Sequence, residues 1–121
     1  MANEITVNLK LSYANGTLVG REDPGTFSVD QTGKVSTGGA QTIATNATTI
    51  NMGSVTTAGY AFFRNVSTAN FIEIGTGTGT SFVAFSRLNF GQAQIVRMGT
   101  NAPTAKADTA AGTLQYTILS A

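Results

Sequence analysis

The residues that could carry chemistry in this chain are few, and the most suggestive group is a glycine–threonine run at residues 75–80. Gly75, Gly77 and Gly79 alternate with threonines. A glycine-rich loop can cradle a phosphate when it opens a helix whose N-terminus faces the anion. The residues that follow, 81–85, read as a strand instead. The run therefore predicts the tip of a β-hairpin rather than a nucleotide site.

Catalytic groups are scarce. The chain contains no histidine and no cysteine, which excludes Ser–His and Cys–His nucleophilic arrangements and the usual proton shuttle at neutral pH. A Ser–Lys pair is formally open to Lys10, Lys34 or Lys106, but nothing marks out one serine. Glu22 and Asp23 are the one adjacent acidic pair, and they fit a solvated turn. We therefore predict that the chain is not an enzyme.

Two acid-dependent alternatives stay open at this stage. A small glycan-active enzyme would need two carboxylates, which could come from separate strands, facing one cleft. A calcium site could use Asp23 or Asp108 with backbone carbonyls, but the chain has no regularly spaced acidic loop. The sequence favours neither alternative, and we predict no cofactor and no bound metal.

Charge and hydropathy exclude further classes. Seven basic and six acidic residues give a net charge of +1 and are scattered along the chain, so there is no basic stripe that would attract nucleic acid. The apolar runs are far shorter than the roughly 20 residues of a membrane-spanning helix. The first residues lack the basic and apolar regions of a secretory signal. We expect synthesis in a cytosol and no nucleic-acid or membrane partner.

The composition and periodicity predict an all-β fold. Twenty residues are threonine and 14 are glycine, which favours short strands separated by turns. Apolar residues alternate with polar ones at 5–11 and again at 114–118. Turn signals every eight to twelve residues predict nine or ten short strands in an antiparallel, jelly-roll-like β-sandwich. We expect a single domain spanning residues 1–121, with the first and last strands paired.

Local signals place the turns. Asn15-Gly16 is a strong hairpin signal, and Asp23-Pro-Gly25 predicts a type II turn between two strands. The pattern Asn65-Val-Ser67 matches a glycosylation acceptor, as do two other asparagines, but each lies at a predicted turn and is interpreted as such. Residues 100–112 are predicted to form a loop, with one helical turn at Ala105–Ala111.

Several strands are apolar on both faces. Phe62 and Phe63 are adjacent, so a strand sends them to opposite sides, and residues 82–88 repeat the pattern. Charged residues make up 11% of the chain, against roughly 25% in an average soluble domain. A second apolar face must be covered, and another subunit would cover it. The residues predicted to contact another subunit or partner protein are Phe62, Phe63, Arg64, Phe85, Arg87, Phe90 and Arg97.

The three arginines in predicted strands allow two interpretations. Each could cover its own sheet and form a salt bridge within the fold, or it could bridge subunits, for example to Glu73 or Asp108. The aromatic cluster is mostly phenylalanine, and the chain has no tryptophan, whereas a carbohydrate-binding face would expose Trp or Tyr. Packing in a core or an interface is the better explanation of these rings.

Four segments together resemble small structural proteins of tailed bacteriophages. They are Gly59-Tyr-Ala-Phe-Phe-Arg-Asn65, Asn70-Phe-Ile-Glu-Ile-Gly75, Phe85-Ser-Arg-Leu-Asn-Phe-Gly91 and Ala102-Pro-Thr-Ala-Lys-Ala-Asp-Thr109. Proteins of this kind are short all-β virion components, and some decorate or cement the capsid. The resemblance covers about half the chain, from Gly59 onward, and supplies no catalytic residue. It implies a homo-oligomer, typically a trimer. This sequence departs from some cement proteins in that its first residues do not form the long basic N-terminal segment with which they clamp the capsid.

On this resemblance we expect a phage virion structural protein located on the capsid exterior. Its expected role is that of a capsid decoration (cement) protein that stabilises the head by bridging subunits of the major capsid protein. The alternative from another class is a receptor- or carbohydrate-binding module of a phage tail fibre or baseplate.

Overall fold

The computed structural model describes residues 3–99 and 102–121. Within them the chain is all-β, with every pair of neighbouring strands antiparallel, as predicted. The strands are β1 (Ile5–Asn15), β2 (Leu18–Val29), β3 (Ser36–Ile43), β4 (Thr48–Thr49), β5 (Ala58–Asn65), β6 (Ile72–Thr76), β7 (Val83–Leu88), β8 (Ala93–Arg97), β9 (Thr104–Ala107) and β10 (Gly112–Ser120).

The chain divides into two compact units, the first ending at Thr32 and the second running from Gly33 to Ala121. The first unit is the hairpin of β1 and β2, which we call the arm. Its strands are joined by a two-residue loop that begins at Gly16, whose φ of 60° is favourable for glycine. The hairpin predicted from Asn15-Gly16 is confirmed.

The predicted turn at Asp23-Pro-Gly25 is wrong. These residues lie inside the single long strand β2, where the register with β1 shifts between Leu9 and Leu11. Gly25 has a φ of 78°, and its N–H donates to Oδ1 of Asp23 over 3.1 Å. Because proline has no N–H to donate, it is tolerated at such an irregularity in a two-stranded edge. The residues that predicted a turn therefore form a β-bulge within β2.

The second unit contains two four-stranded sheets. Sheet I has the order β3-β10-β5-β8, and sheet II has the order β4-β9-β6-β7. The antiparallel pairs are nested in the sequence, because β3 pairs with β10, β4 with β9, β5 with β8, and β6 with β7. The last strand thus pairs with β3 and β5, whereas β1 pairs with β2, so the predicted pairing of the first and last strands is wrong.

The inward faces of sheets I and II form one buried cluster, which gives the second unit a sandwich-like arrangement. Sheet I contributes Phe63 and the alternating apolar residues of β10, and sheet II contributes Ile72 and Ile74, all buried. Alternation along each strand sends one set of side chains into this cluster and the other set outward.

The helical turn predicted at Ala105–Ala111 is also wrong. Residues 104–107 form β9, which pairs with β4 on one side and β6 on the other. Two flanking ladders satisfy its backbone groups, and Ala105 and Ala107 are buried in the core, so tertiary contacts override the helix propensity of alanine. Residues 100 and 101 of the predicted loop lie outside the described residues.

Candidate interaction surfaces

The adjacent phenylalanines of β5 point to opposite sides of sheet I. Phe63 is completely buried in the core, whereas Phe62 is half-buried and lies on the outer face. Of the seven interface residues predicted from the sequence, Phe63 is therefore unavailable, because it already packs within its own molecule. The other six lie at the surface, but they do not form one site.

Three of them share the outer face of sheet I. Phe62 lies directly opposite Ile95 of β8, and Tyr60 lies opposite Arg97. Directly opposite residues of an antiparallel pair point to the same side, so these side chains form one surface together with Arg64. We call this surface the sheet face; its residues are Tyr60, Phe62, Arg64, Ile95 and Arg97.

The two arginines of the sheet face carry charge that no carboxylate neutralises within the described chain. The guanidinium of Arg97 lies 5.9 Å from the Tyr60 ring centroid and donates to the carbonyls of Ala58 and Met98, at 3.3 and 2.6 Å. Arg64 is exposed, and its guanidinium forms neither an ion pair nor a hydrogen bond with any described residue. An apolar centre flanked by two such cations can accept an apolar partner that carries acids.

A second apolar surface follows β7, the edge strand of sheet II. Val83 is 67% exposed and Phe85 is 55% exposed, and Phe90 in the following turn is 57% exposed. Gly91, at a φ of 82°, holds that turn and leaves the Phe90 ring in solvent. Exposed apolar side chains beside an unpaired strand edge favour contact with another chain. We call Val83, Phe85 and Phe90 the edge patch.

Arg87, the remaining arginine of the prediction, is engaged within its own sheet. Its Nη2 lies 3.3 Å from Oε2 of Glu73, the residue directly opposite it on β6. Its guanidinium also stacks 3.9 Å from the centroid of the Phe71 ring. For Arg87 the geometry therefore matches the salt bridge within the fold, one of the two interpretations that the sequence left open.

A third apolar surface lies on the arm. In the register of β1 and β2, Leu9, Leu11 and Tyr13 share one face with Leu18 and Phe27. Leu11 is 61% exposed, Leu18 is 62% exposed, and the other three are more than a third exposed. We call these five residues the arm patch. The sequence predicted the alternation along β1 but assigned its apolar residues to a half-buried strand.

The most important polar residue inside the fold is Asn65, which the sequence indicated only as a turn residue. It is completely buried at the end of β5. Its Nδ2 donates to the carbonyls of Asn70 and Leu88, at 2.8 and 2.9 Å, and its Oδ1 accepts from the N–H of Ser67 at 2.9 Å. One side chain thus ties the end of β5 to the loop before β6 and to the end of β7.

The glycine–threonine run forms the tip between β6 and β7, as predicted. Gly77 and Gly79 have positive φ, and a three-residue 3₁₀ turn spans Gly79–Ser81. Gly75 lies within β6, where a Cβ would come within 2.0 Å of the Val83 carbonyl oxygen. Gly75 therefore allows two strands to approach closely, and Gly77 and Gly79 allow the chain to turn.

Other features of the surface carry little chemistry. A shallow cleft is lined by residues 66–70 and 111–113, none of which is charged. Among residues 3–99 and 102–121, no three His, Cys, Asp or Glu side chains come close enough to share a metal ion. No helix in this described part is long and apolar enough to cross a membrane.

Comparison of the chain with protein-family models, with curated proteins and with solved structures finds no match. Its function must therefore be inferred from the three exposed apolar surfaces and from the fold that presents them.

Proposed function

We propose that this chain is a structural protein of a tailed-bacteriophage virion, namely a decoration protein that bridges major capsid subunits from outside the head. The observation that carries the proposal is the nested pairing of eight strands in sheets of order β3-β10-β5-β8 and β4-β9-β6-β7. We infer a jelly roll from this order, and jelly rolls are recurrent in viral capsid domains. The resemblance of residues 59–109 to small phage structural proteins supports the same assignment.

The proposed mechanism is adhesive. The sheet face would bury its apolar centre against other copies of the chain, and the edge patch would contact the capsid, so that each copy joins a neighbour and the shell. Burial of about 1,000 Å² of apolar surface corresponds to an upper bound of about 25 kcal/mol. Association consumes about 4–15 kcal/mol of this through lost translational and rotational freedom, and ordering of side chains and desolvation of polar groups consume more, so only the remainder stabilises the complex.

Binding to heads distinguishes this function from the alternative, a receptor- or carbohydrate-binding module. Purified protein is mixed with expanded heads from a phage mutant that lacks the gene, and with intact host cells, and each mixture is sedimented. We expect saturable co-sedimentation with the heads and none with the cells. Binding to cells or immobilised glycans, without binding to heads, would contradict the proposal and favour a tail-fibre or baseplate module.

Self-association through the sheet face gives a second test. Phe62→Asp should yield folded monomers, because it places a carboxylate in the apolar centre of the contact. Ile95→Asp, on the opposite strand, should do the same and serves as a second variant in case Phe62→Asp does not fold. Thr42→Asp, exposed on the outer face of β3, is the matched control.

Multi-angle light scattering measures the mass, and circular dichroism verifies that each variant is folded. The wild-type chain and Thr42→Asp should show the same oligomer. If folded Phe62→Asp and Ile95→Asp also retain that oligomer, the sheet face is not the interface between copies.

A further inference from the structure

We propose that the arm of one copy docks its apolar patch on the sheet face of a second copy, so that the chain assembles head to tail. The inference rests on the self-association in the proposed function and names the surface that completes it. The contact would cover two exposed apolar surfaces at once, the arm patch and the sheet face.

The arm needs a partner because it has no core of its own. It consists of two strands that pair with each other, and the outer edge of each carries no further strand among the described residues. Two-stranded hairpins are at best marginally stable in water. The arm patch occupies one face, while the other face is mostly polar, with Ser12, Thr26 and Ser28, and exposes one large apolar side chain, that of Val19. Such an amphipathic ribbon is suited to covering an apolar surface.

The charges of the two units are opposite in sign. Up to Thr32 the chain has two basic residues and four acids, Glu4, Glu22, Asp23 and Asp30, for a net charge of −2. From Gly33 onward five basic and two acidic residues give +3. Opposite net charges on two surfaces favour their encounter and their correct orientation. A second copy of the same chain supplies both surfaces.

The acids and cations also lie where such a contact needs them. Glu22 lies directly opposite Leu11 and therefore within the arm patch. On the sheet face, Arg64 lies beside the apolar centre and has no carboxylate partner among residues 3–99 and 102–121. The edge patch is less suitable for the arm, because the guanidinium nearest to it in sequence, that of Arg87, is already paired with Glu73.

Docking of one surface on a different surface makes the contact heterologous. Heterologous contacts form rings when the rotation between copies closes, and a ring of three agrees with the trimer implied by the resemblance. The 11-residue strand β1 is longer than β5, which has 8 residues, and β8, which has 5, so the arm is long enough to cover the sheet face along these two strands. An isologous contact, by contrast, would pair two sheet faces and leave both arms uncovered.

A complementation experiment with full-length chains tests this arrangement. Leu11→Glu/Leu18→Glu disables the arm patch at two exposed positions, and Phe62→Asp disables the sheet face. Each variant alone should be monomeric, with association weakened at least about tenfold for each leucine removed, since burying a leucine contributes more than the 1.4 kcal/mol of a tenfold change. Mixed in equal amounts, they should form a complex of two chains that grows no further, because one arm and one sheet face remain intact.

The control carries the same added charge on the polar face of the arm. Ser12→Glu/Thr26→Glu should keep the wild-type oligomer. The proposal is overturned if the mixed variants do not associate, if Leu11→Glu/Leu18→Glu retains the full oligomer, or if the control dissociates as well. In the second case, monomeric Phe62→Asp and continued binding to heads would leave the proposed function standing and remove only the arm contact.

Charge reversal supplies a second readout. Glu22→Arg and Arg64→Glu should each weaken association at low ionic strength, and a mixture of the two should associate more tightly than either alone. Added salt should reduce these differences, because the Debye length falls from about 10 Å at 0.1 M to about 3 Å at 1 M. Equal affinities for the single variants and the mixture would contradict the pairing of these two residues.

Discussion

Replacing Phe63 by alanine is expected to lower the free energy of unfolding by about 3–5 kcal/mol, whereas the same change at Phe62 should cost about 1 kcal/mol. The two rings are adjacent in sequence, but Phe63 is completely buried in the cluster shared by sheets I and II, and Phe62 lies on the outer face. The larger loss reflects removal of apolar contacts and a cavity that the flanking sheets cannot close.

Urea denaturation of each variant, followed by circular dichroism, measures the difference. It must be performed below the concentration at which the chains associate, because oligomerisation would stabilise the folded form through Phe62 as well. The free energy of unfolding of a small protein is about 5–15 kcal/mol in total. Where Phe63→Ala leaves too little stability to measure, Phe63→Leu provides a milder test. Equal losses at the two positions would contradict the assignment of the inner and outer faces of β5.

Replacing Asn65 should also destabilise the fold. Asn65→Ala removes three hydrogen bonds, one buried and two part-buried, and leaves two carbonyls and one N–H without a side-chain partner. An unsatisfied buried group costs about 1–3 kcal/mol and a part-buried group costs less, so we expect a total loss of about 2 kcal/mol or more. Asn65→Asp should lose at least as much, because a carboxylate keeps the acceptor but presents negative charge to two carbonyl oxygens.

Asn46 supplies the matched control. It begins the segment Asn46-Ala-Thr48, which matches the same Asn-X-Ser/Thr pattern as Asn65-Val-Ser67, but its side chain is exposed. Asn46→Ala should change the free energy of unfolding by no more than about 0.5 kcal/mol. If Asn65→Asp were as stable as the wild-type chain in thermal denaturation, the Nδ2 donations to Asn70 and Leu88 could not hold the ends of β5 and β7 together.

Side-chain alternation predicted most of the strands because it depends on local pattern alone. The split between Phe62 and Phe63 follows from the period of two, and the arm turn follows from the need for positive φ at Gly16. Which strands pair is a different matter, because every strand of a sandwich has one inward face. The clean alternation shared by β1 and β10 therefore suggested a pairing that does not form.

The remaining errors have a common cause in tertiary contacts. Alanine is a strong helix former, but β9 lies between β4 and β6, and its backbone is satisfied by both. A proline–glycine pair ordinarily ends a strand, but Pro24 and Gly25 lie at a β-bulge, so that β2 continues past them. The role of Asn65 depends on carbonyls that are 5 and 23 residues away, and no local signal reveals such partners.

The candidate surfaces were predictable in part. The sequence indicated an excess of apolar residues and named Phe62, Phe85 and Phe90, which are all at the surface. It also included Phe63, because composition does not reveal which of two adjacent rings faces inward. The arm patch was missed because its alternation is that of an ordinary half-buried strand, and only the register of β1 and β2 shows how much of it is exposed.

We propose that this chain exposes more apolar surface than one molecule keeps in water and that copies of it therefore associate. Sedimentation-velocity analysis of the full-length wild-type chain, over a wide range of concentrations, tests the claim most directly. We expect a species of several chains, three for the proposed ring, that dissociates only on strong dilution. A single species of 12.5 kDa at every concentration would contradict it.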